Sequence, residues 1–331
     1  MSSQAPRALV LGATGHIGQA MVRELLAHQW QITAATRQER PAALAGLPLN
    51  VVRGDADSPG QLAAWMRGHG FVFDAAAPYA MNLFLPALSA RPLAHAQRRM
   101  AAVLEAARQA GAVLVHVSSY TTQPRPGDEG ALAALEARVR RRLHPYFAVK
   151  AAMEAMVLDA ARSGQRVVVL NPSACLGPWD RRPRDLCVVP LLATGQVPAL
   201  VSHEMNVIDV RDVALAARLA VQRQRFGQPI ALSGHNCRTD EMANQVCRIA
   251  GVAAPRRRLA KRLAAAGMWW TEAGWALLGR PSPVPALGTL LLLDSHAMEA
   301  GPAQQALDLQ PRPLATTLRD ALAWYRQLGY C

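Results

Sequence analysis

Residues 7–29, RALVLGATGHIGQAMVRELLAHQ, decide the fold. The apolar run over 7–13 reads as a buried strand, and 17–29 carries the spacing of an amphipathic helix. Gly12, Gly15 and Gly18 occupy the junction between them. Glycines there permit a tight turn and a close backbone approach, and the helix N-terminus then offers its free amides to an anion such as a pyrophosphate. The GxxGxxG spacing gains its weight from position, with a strand before it and a helix after it.

Working outward, further strand-like runs lie at 31–37 (QITAATR), 50–55 (NVVRGD), 70–77 (GFVFDAAA), 112–119 (AVLVHVSS) and 165–172 (QRVVVLNP). Helical patterns fill 96–111, ending at a glycine cap, then 131–143 and the segment from His144 onward. Alternating strands and helices with buried, β-branched strands predict an α/β protein. Its core is a doubly wound parallel (Rossmann) sheet covered by helices on both faces. Beyond Pro172 the pattern loosens into a smaller, mixed C-terminal lobe. The expected division is 1–172 for the first domain, with 207–234 returning to it, and 173–206 with 235–331 for the second.

The chain has 331 residues, is 51% hydrophobic and carries a formal charge of +13. Only Lys150 and Lys261 among its 36 basic residues are lysines. The arginine runs at 138–142 and 255–262 lack interleaved aromatics, so they read as solvated helix faces or as a rim that steers anions, and no nucleic-acid partner is expected. Five scattered cysteines give no zinc spacing and suggest reduced thiols. No metal site is expected. With no leader-like segment and no apolar run near membrane-spanning length, the expectation is a cytoplasmic protein without stable membrane insertion.

The chemistry is carried by YFAVK, residues 146–150. Tyr146 and Lys150 stand one helical turn apart and share a face. A free phenol titrates near 10, and a neighbouring ammonium favours its phenolate, which suits it to acid/base work. Ser118 and Ser119 end a strand at the edge where open parallel sheets bind ligands. These are the parts for hydride transfer at a carbonyl or alcohol carbon, with the tyrosine handling the oxygen's proton.

The second strand ends in Thr36-Arg37 without an acid, which favours NADP, through a 2′-phosphate contact, over NAD. The other reading of Arg37 is a solvent-facing side chain. Asp55 either accepts from an adenine amino group or caps the helix from Pro59. Trp269, Trp270 and Trp275 with Leu277 and Leu278 read as packing of the smaller lobe; lining of an apolar pocket and docking on a membrane surface are the other readings. Asp212 reads as a residue that positions backbone where the lobes join.

GATGHIG, RGDAD, FDAAA, VHVSS, YFAVK, NPSACLGPWD and NVIDVRDVA occur in one order along nearly the whole chain. In that order they resemble an extended short-chain dehydrogenase/reductase of the NAD(P)-dependent epimerase/dehydratase family. PSACLGPWDRRPRD, GQVPALVSHEMNVIDVRDVA and LRDALAWYRQLGY are similar to its dihydroflavonol 4-reductase-like branch, which includes hopanoid-associated sugar epimerase-like proteins. The resemblance implies Ser119 as catalytic hydroxyl, Tyr146 as acid/base and Lys150 as its electrostatic partner. It implies cofactor contacts from Gly12, Thr14, Gly15, His16, Ile17, Arg37, Asp55, Ala56, Ala75, Ala76, Lys150, Asn171, Pro172 and Ser173. It further implies a homodimer through helices starting near Ala96 and Tyr146, and a small-molecule substrate. Two departures stand out. Ala96 and Arg99 replace the family's asparagine and glycine, so a relay or water site anchored there is rebuilt or absent. Ser118-Ser119-Tyr120 replaces the TDE of sugar-nucleotide 4,6-dehydratases, which disfavours dehydration. The expected activity is an NADP-dependent carbonyl reductase or alcohol dehydrogenase. The alternatives are a nucleotide-sugar epimerase with tightly bound NAD and a non-catalytic dinucleotide sensor.

Overall fold

The computed structural model describes residues 5–76, 86–124, 144–182, 187–278, 280 and 286–331. The helix expected over 131–143 and the basic run at its end lie outside the described residues. The first half alternates strand and helix: β1 (Arg7–Leu11), α1 (His16–Ala27), β2 (Gln31–Thr36), β3 (Asn50–Arg53), α2 (Pro59–Met66) and β4 (Phe71–Asp74). It continues through α3 (Pro86–Gln109), β5 (Val113–Val117), α4 (Pro145–Arg162) and β6 (Val167–Pro172). With β10 (Pro229–Leu232), these strands form a seven-stranded sheet in the order β10-β6-β5-β4-β1-β2-β3. All of its pairings are parallel.

Side-chain alternation explains why the central strands are apolar throughout. Ala8 and Val10 of β1 enter a core with α1 and α6 (Val210–Gln222), whereas Leu9 and Leu11 enter a second core with α2, α3 and α4. Both faces are covered, so neither set can be polar. The strand order reverses between β1 and β4, and this opens a crevice at their C-terminal ends. Gly111 follows α3 with φ +62°, the left-handed turn expected of a glycine cap.

The smaller lobe has mixed pairing. In a three-stranded sheet, β9 (Glu204–Asp209) runs parallel to β7 (Ala174–Leu176) and antiparallel to β11 (His235–Arg238). Thus α6 and β10 return to the large sheet, while β9 joins the small one. A third sheet pairs β8 (Ala199–Leu200) with β12 (Arg257–Arg258). The core here unites α5 (Val188–Ala193), α7 (Thr239–Ala250) and α11 (Leu314–Gln327). The helices α8 (Lys261–Leu277) and α9 (Ala286–Asp294) pack on the start of α4, and α10 (Pro302–Gln305) packs beside β10. At the junction, the Asp212 carboxylate accepts the Arg312 amide at 2.7 Å. Among the described residues, no helix is long and apolar enough to cross a membrane.

Candidate active site

The glycine turn closes on itself through the Gly15 amide, which donates to the Gly12 carbonyl at 2.9 Å. Gly12 has φ +75°, and a Cβ there would sit 2.8 Å from the backbone of Ala75 and Ala76 at the end of β4. A Cβ on Gly18 would overlap the Gly12 carbonyl. Only glycine lets α1 press this closely onto the turn and leave it open above. Gln19 secures the arrangement, donating to the carbonyls of Thr14 at 3.2 Å and Trp179 at 2.7 Å.

The catalytic candidates converge where β5 ends and α4 begins. His144 is the N-cap of α4; its Nδ1 accepts the Tyr146 amide at 3.1 Å, and Pro145 occupies the first helical position. This start fixes Tyr146 against β5. Its hydroxyl donates to Ser119 Oγ at 3.1 Å, and both residues are buried. Ser119 also accepts from the Thr121 amide and hydroxyl at 3.3 and 3.0 Å. One turn along α4, the Lys150 ammonium donates to the Val117 carbonyl at 3.0 Å. Burial pulls Lys150 down to about 8, opposed by the carboxylates of Asp74 and Glu154. Burial likewise lowers His144, to about 4, which keeps its cap nitrogen free to accept.

A further turn along α4, Glu154 gathers a network that the sequence reading missed. Its buried carboxylate accepts from Ser118 Oγ, from Thr122 Oγ1 at 2.6 Å, from Asn171 Nδ2 at 2.7 Å and from Gln123 Nε2 at 3.1 Å. Asn171 also donates to the Ser119 carbonyl at 3.2 Å. One carboxylate therefore ties α4, the loop bearing Ser119 and the end of β6 into one block. The available signal was periodicity, since Tyr146, Lys150 and Glu154 recur at intervals of four on one helix face.

Arg99, in place of the family glycine, is buried and grips the Asp74 carboxylate with both terminal nitrogens at 2.6 and 3.1 Å. His116 Nδ1 lies 3.4 Å from the same carboxylate, and Arg99 Nε lies 3.6 Å from Asp57. Burial alone would raise Asp74, but the guanidinium and imidazole hold it far below the usual carboxylate range. Ala96 is fully buried in the core between α3 and the sheet. Arg99 thus forms an ion-pair anchor with Asp74 at the C-terminal end of β4, and Ala96 packs in the core beneath.

The remaining predicted contacts border the crevice in part. Thr14, His16 and Ile17 lie in the glycine turn and the start of α1; Ala75 and Ala76 follow β4; Asn171 and Pro172 end β6, with Ser173 next. Asp55 is exposed and Ala56 half-buried. The Asp55 carboxylate accepts the Asp57 amide at 3.1 Å, while Ser58 is the N-cap of α2, so Asp55 is not that helix's cap. A dinucleotide fits this crevice on two counts. Glycine at 12 and 18 keeps the turn tight, since a Cβ at either would strike the chain's own backbone, and the buried atoms His16 Nε2, Asn171 Oδ1 and Ser173 Oγ have no hydrogen-bond partner among the described residues. Burial lowers His16, so its imidazole stays neutral there.

The family model for the NAD dependent epimerase/dehydratase family matches residues 8–232. The chain belongs to that family. This makes it an enzyme of a hydride-transfer and epimerase fold, with Tyr146 as the candidate acid/base near its active site. A Synechocystis protein provisionally named dihydroflavonol 4-reductase is 31% identical over 329 residues, covering 97% of this chain and 95% of that one. Sterol demethylase protein B of Methylococcus capsulatus is 27% identical over 346 residues, covering 97% and 98%. The crystal structure of gox2253 superposes with a TM-score of 0.76 at 25% identity, covering 98% of each chain.

The preference for NADP is corrected. UDP-glucuronic acid 4-epimerase of Bacillus cereus, solved with UDP-glucuronic acid and NAD, superposes with a TM-score of 0.72 at 14% identity, covering 97% of this chain and 99% of that one. Other neighbours solved with a named dinucleotide also carry NAD. The physical reason lies at the end of β2. Arg37 is exposed and makes no hydrogen bond or ion pair among the described residues, which matches its other reading, a solvent-facing side chain. The Thr36 hydroxyl is turned back to accept the Gln38 amide at 3.1 Å.

Proposed function

We propose that the protein is an NAD-dependent epimerase acting on a nucleotide-linked sugar, with Tyr146 as the acid/base. The observation that carries the chemistry is the Tyr146 to Ser119 hydrogen bond of 3.1 Å beside the buried Lys150. Neighbours solved as nucleotide-sugar epimerases favour the internal redox cycle. NAD would be held by the glycine turn (Gly12, Thr14, Gly15, His16, Ile17), by Asp55 and Ala56, by Ala75 and Ala76, by Lys150 and by Asn171, Pro172 and Ser173. When bound, it supplies a hydride acceptor that returns the hydride to the same carbon.

The chain's own residues manage the oxygen. As the substrate alcohol is oxidised, the Tyr146 phenolate takes its hydroxyl proton; on reduction the phenol gives a proton back. The Lys150 cation favours the phenolate, and Ser119 donates to the substrate oxygen. The Glu154 block keeps Ser119 in register with α4. The large sheet through Ser173, with α6 and β10 returning to it, serves the dinucleotide, while the small lobe serves the substrate. A homodimer through α3 and α4 remains part of this reading.

One observation favours a second reading. Tyr146 and Phe147 pack in an apolar cluster with Met268, Leu287 and Leu290, and Trp269 lies against it. Such a wall suits an NAD-dependent dehydrogenase of an apolar secondary alcohol. Acid release of nucleotide from the purified protein, followed by assays on UDP-sugars and on apolar secondary alcohols, separates the readings. Released NAD with an epimerised sugar and no net NADH supports the first. NADH formed from an apolar alcohol supports the second. Absence of both activities together with failure to bind NAD refutes both.

A further inference from the structure

Helix α8 has two apolar faces, and only the inner one is covered. Inward, Met268 is buried against Tyr146 and Phe147. Outward, exposed positions recur at Leu263, Gly267, Trp270, Gly274 and Leu277, and Leu278 extends them. Steps of three and four place them in a single stripe running about four turns. Trp270 is 80% exposed and Leu277 is 89% exposed, values that belong to a face without a partner among the described residues. The stripe holds no charge. Within 263–278 the one ionisable side chain is Glu272, which is buried. Thr271, on the same side, satisfies its hydroxyl inside the helix by donating to the Gly267 carbonyl at 2.7 Å.

Cations bracket the stripe. Arg256, Arg257 and Arg258 are exposed just before it, Lys261 and Arg262 open the helix, and exposed Arg280 follows. The whole chain carries +13. An uncharged, tryptophan-bearing face with basic ends matches the layering of a bilayer surface, apolar beneath and anionic at the headgroups. Self-association through the stripe would instead oppose like charges at both ends.

We propose that this face of α8 rests on an anionic lipid bilayer, with Trp270 and Leu277 at the acyl–headgroup boundary and the flanking arginines against lipid phosphates. At 17 residues, and with no spanning helix among the described residues, α8 lies on the surface and does not cross it. The helix's other face walls Tyr146, which sets the catalytic tyrosine about 10 Å, one helix diameter, from the lipid. The proposal holds whichever substrate the enzyme takes.

Sedimentation of the full chain with vesicles of mixed phosphatidylglycerol and phosphatidylcholine, against phosphatidylcholine alone, tests it. The expected result is binding to the mixed vesicles at least about ten-fold tighter than to the neutral ones, weakened by salt. Trp270→Glu with Leu277→Glu is expected to lose at least about ten-fold in binding, with unchanged melting temperature and unchanged molecular mass by light scattering. Trp270→Ser with Leu277→Ser answers the same question if the charged pair misfolds. Three results overturn the proposal: wild-type protein left in the supernatant, a variant that binds as well as wild type, or a variant that converts a dimer to a monomer.

Discussion

Tyr146 donates to Ser119, and the whole account of catalysis narrows to that hydroxyl. Tyr146→Phe is expected to lower turnover by about 10²- to 10⁴-fold while leaving NAD binding intact, checked by steady-state assay beside a binding titration. Glu154 acts through others: Glu154→Gln keeps the size but removes the charge that four donors share, and is expected to cost about 1.5–3 kcal/mol in urea unfolding. Arg99→Ala strands the Asp74 carboxylate in the core, and a loss of about 3–5 kcal/mol is expected from the same measurement. Tyr146, Lys150 and Ser119 were legible because a one-turn spacing and a strand end are local features. Glu154 was not, since its donors come from the loop after β5 and from β6, which only the folded chain brings together. Arg99 read as a missing glycine; its partner Asp74 lies 25 positions earlier and is adjacent only because α3 packs on the face of the sheet.

Helix α4 gives the clearest case at the level of an element. Its cap is His144, whose acceptor role requires a neutral ring, and burial lowers its titration to about 4. In the unfolded chain it binds a proton near 6.5, so between those values the unfolded state holds more protons and stability falls as pH drops. His144 alone accounts for up to about 3 kcal/mol across that window. Burial lowers His16 and His116 too, which adds to the same acid limb. His144→Asn keeps an acceptor for the Tyr146 amide without the titration. Its stability, compared by urea unfolding at about pH 7 and about pH 5, is expected to change less than that of wild type. The inner strands of the large sheet were plain in the sequence because burial on both faces leaves them mostly apolar, as in Ala8–Leu11 of β1 and Val167–Leu170 of β6. The orientation of α8 was not, because apolar residues on both sides of a helix do not reveal which side the fold covers.

For the whole molecule, the order of the seven strands, reversing between β1 and β4 at the glycine turn, bears out the doubly wound parallel sheet that the sequence led one to expect. The stretch at 207–234 was expected to return to the large sheet, but its first strand, Glu204–Asp209, joins the small one, because pairing partners are set by tertiary packing. Choice of dinucleotide failed at the sequence level because an arginine at a strand end reads equally as a phosphate contact or as a solvent-facing side chain, and Arg37 is exposed. The central claim is an NAD site built on the glycine turn beside Tyr146. Its most direct test is thermal unfolding of nucleotide-free protein during titration with NAD and, separately, NADP. A saturable stabilisation by NAD, about 2.7 kcal/mol at a hundred-fold excess over the dissociation constant, with a weaker response to NADP, is the predicted result. Stabilisation by NADP alone, or by neither nucleotide, would contradict it.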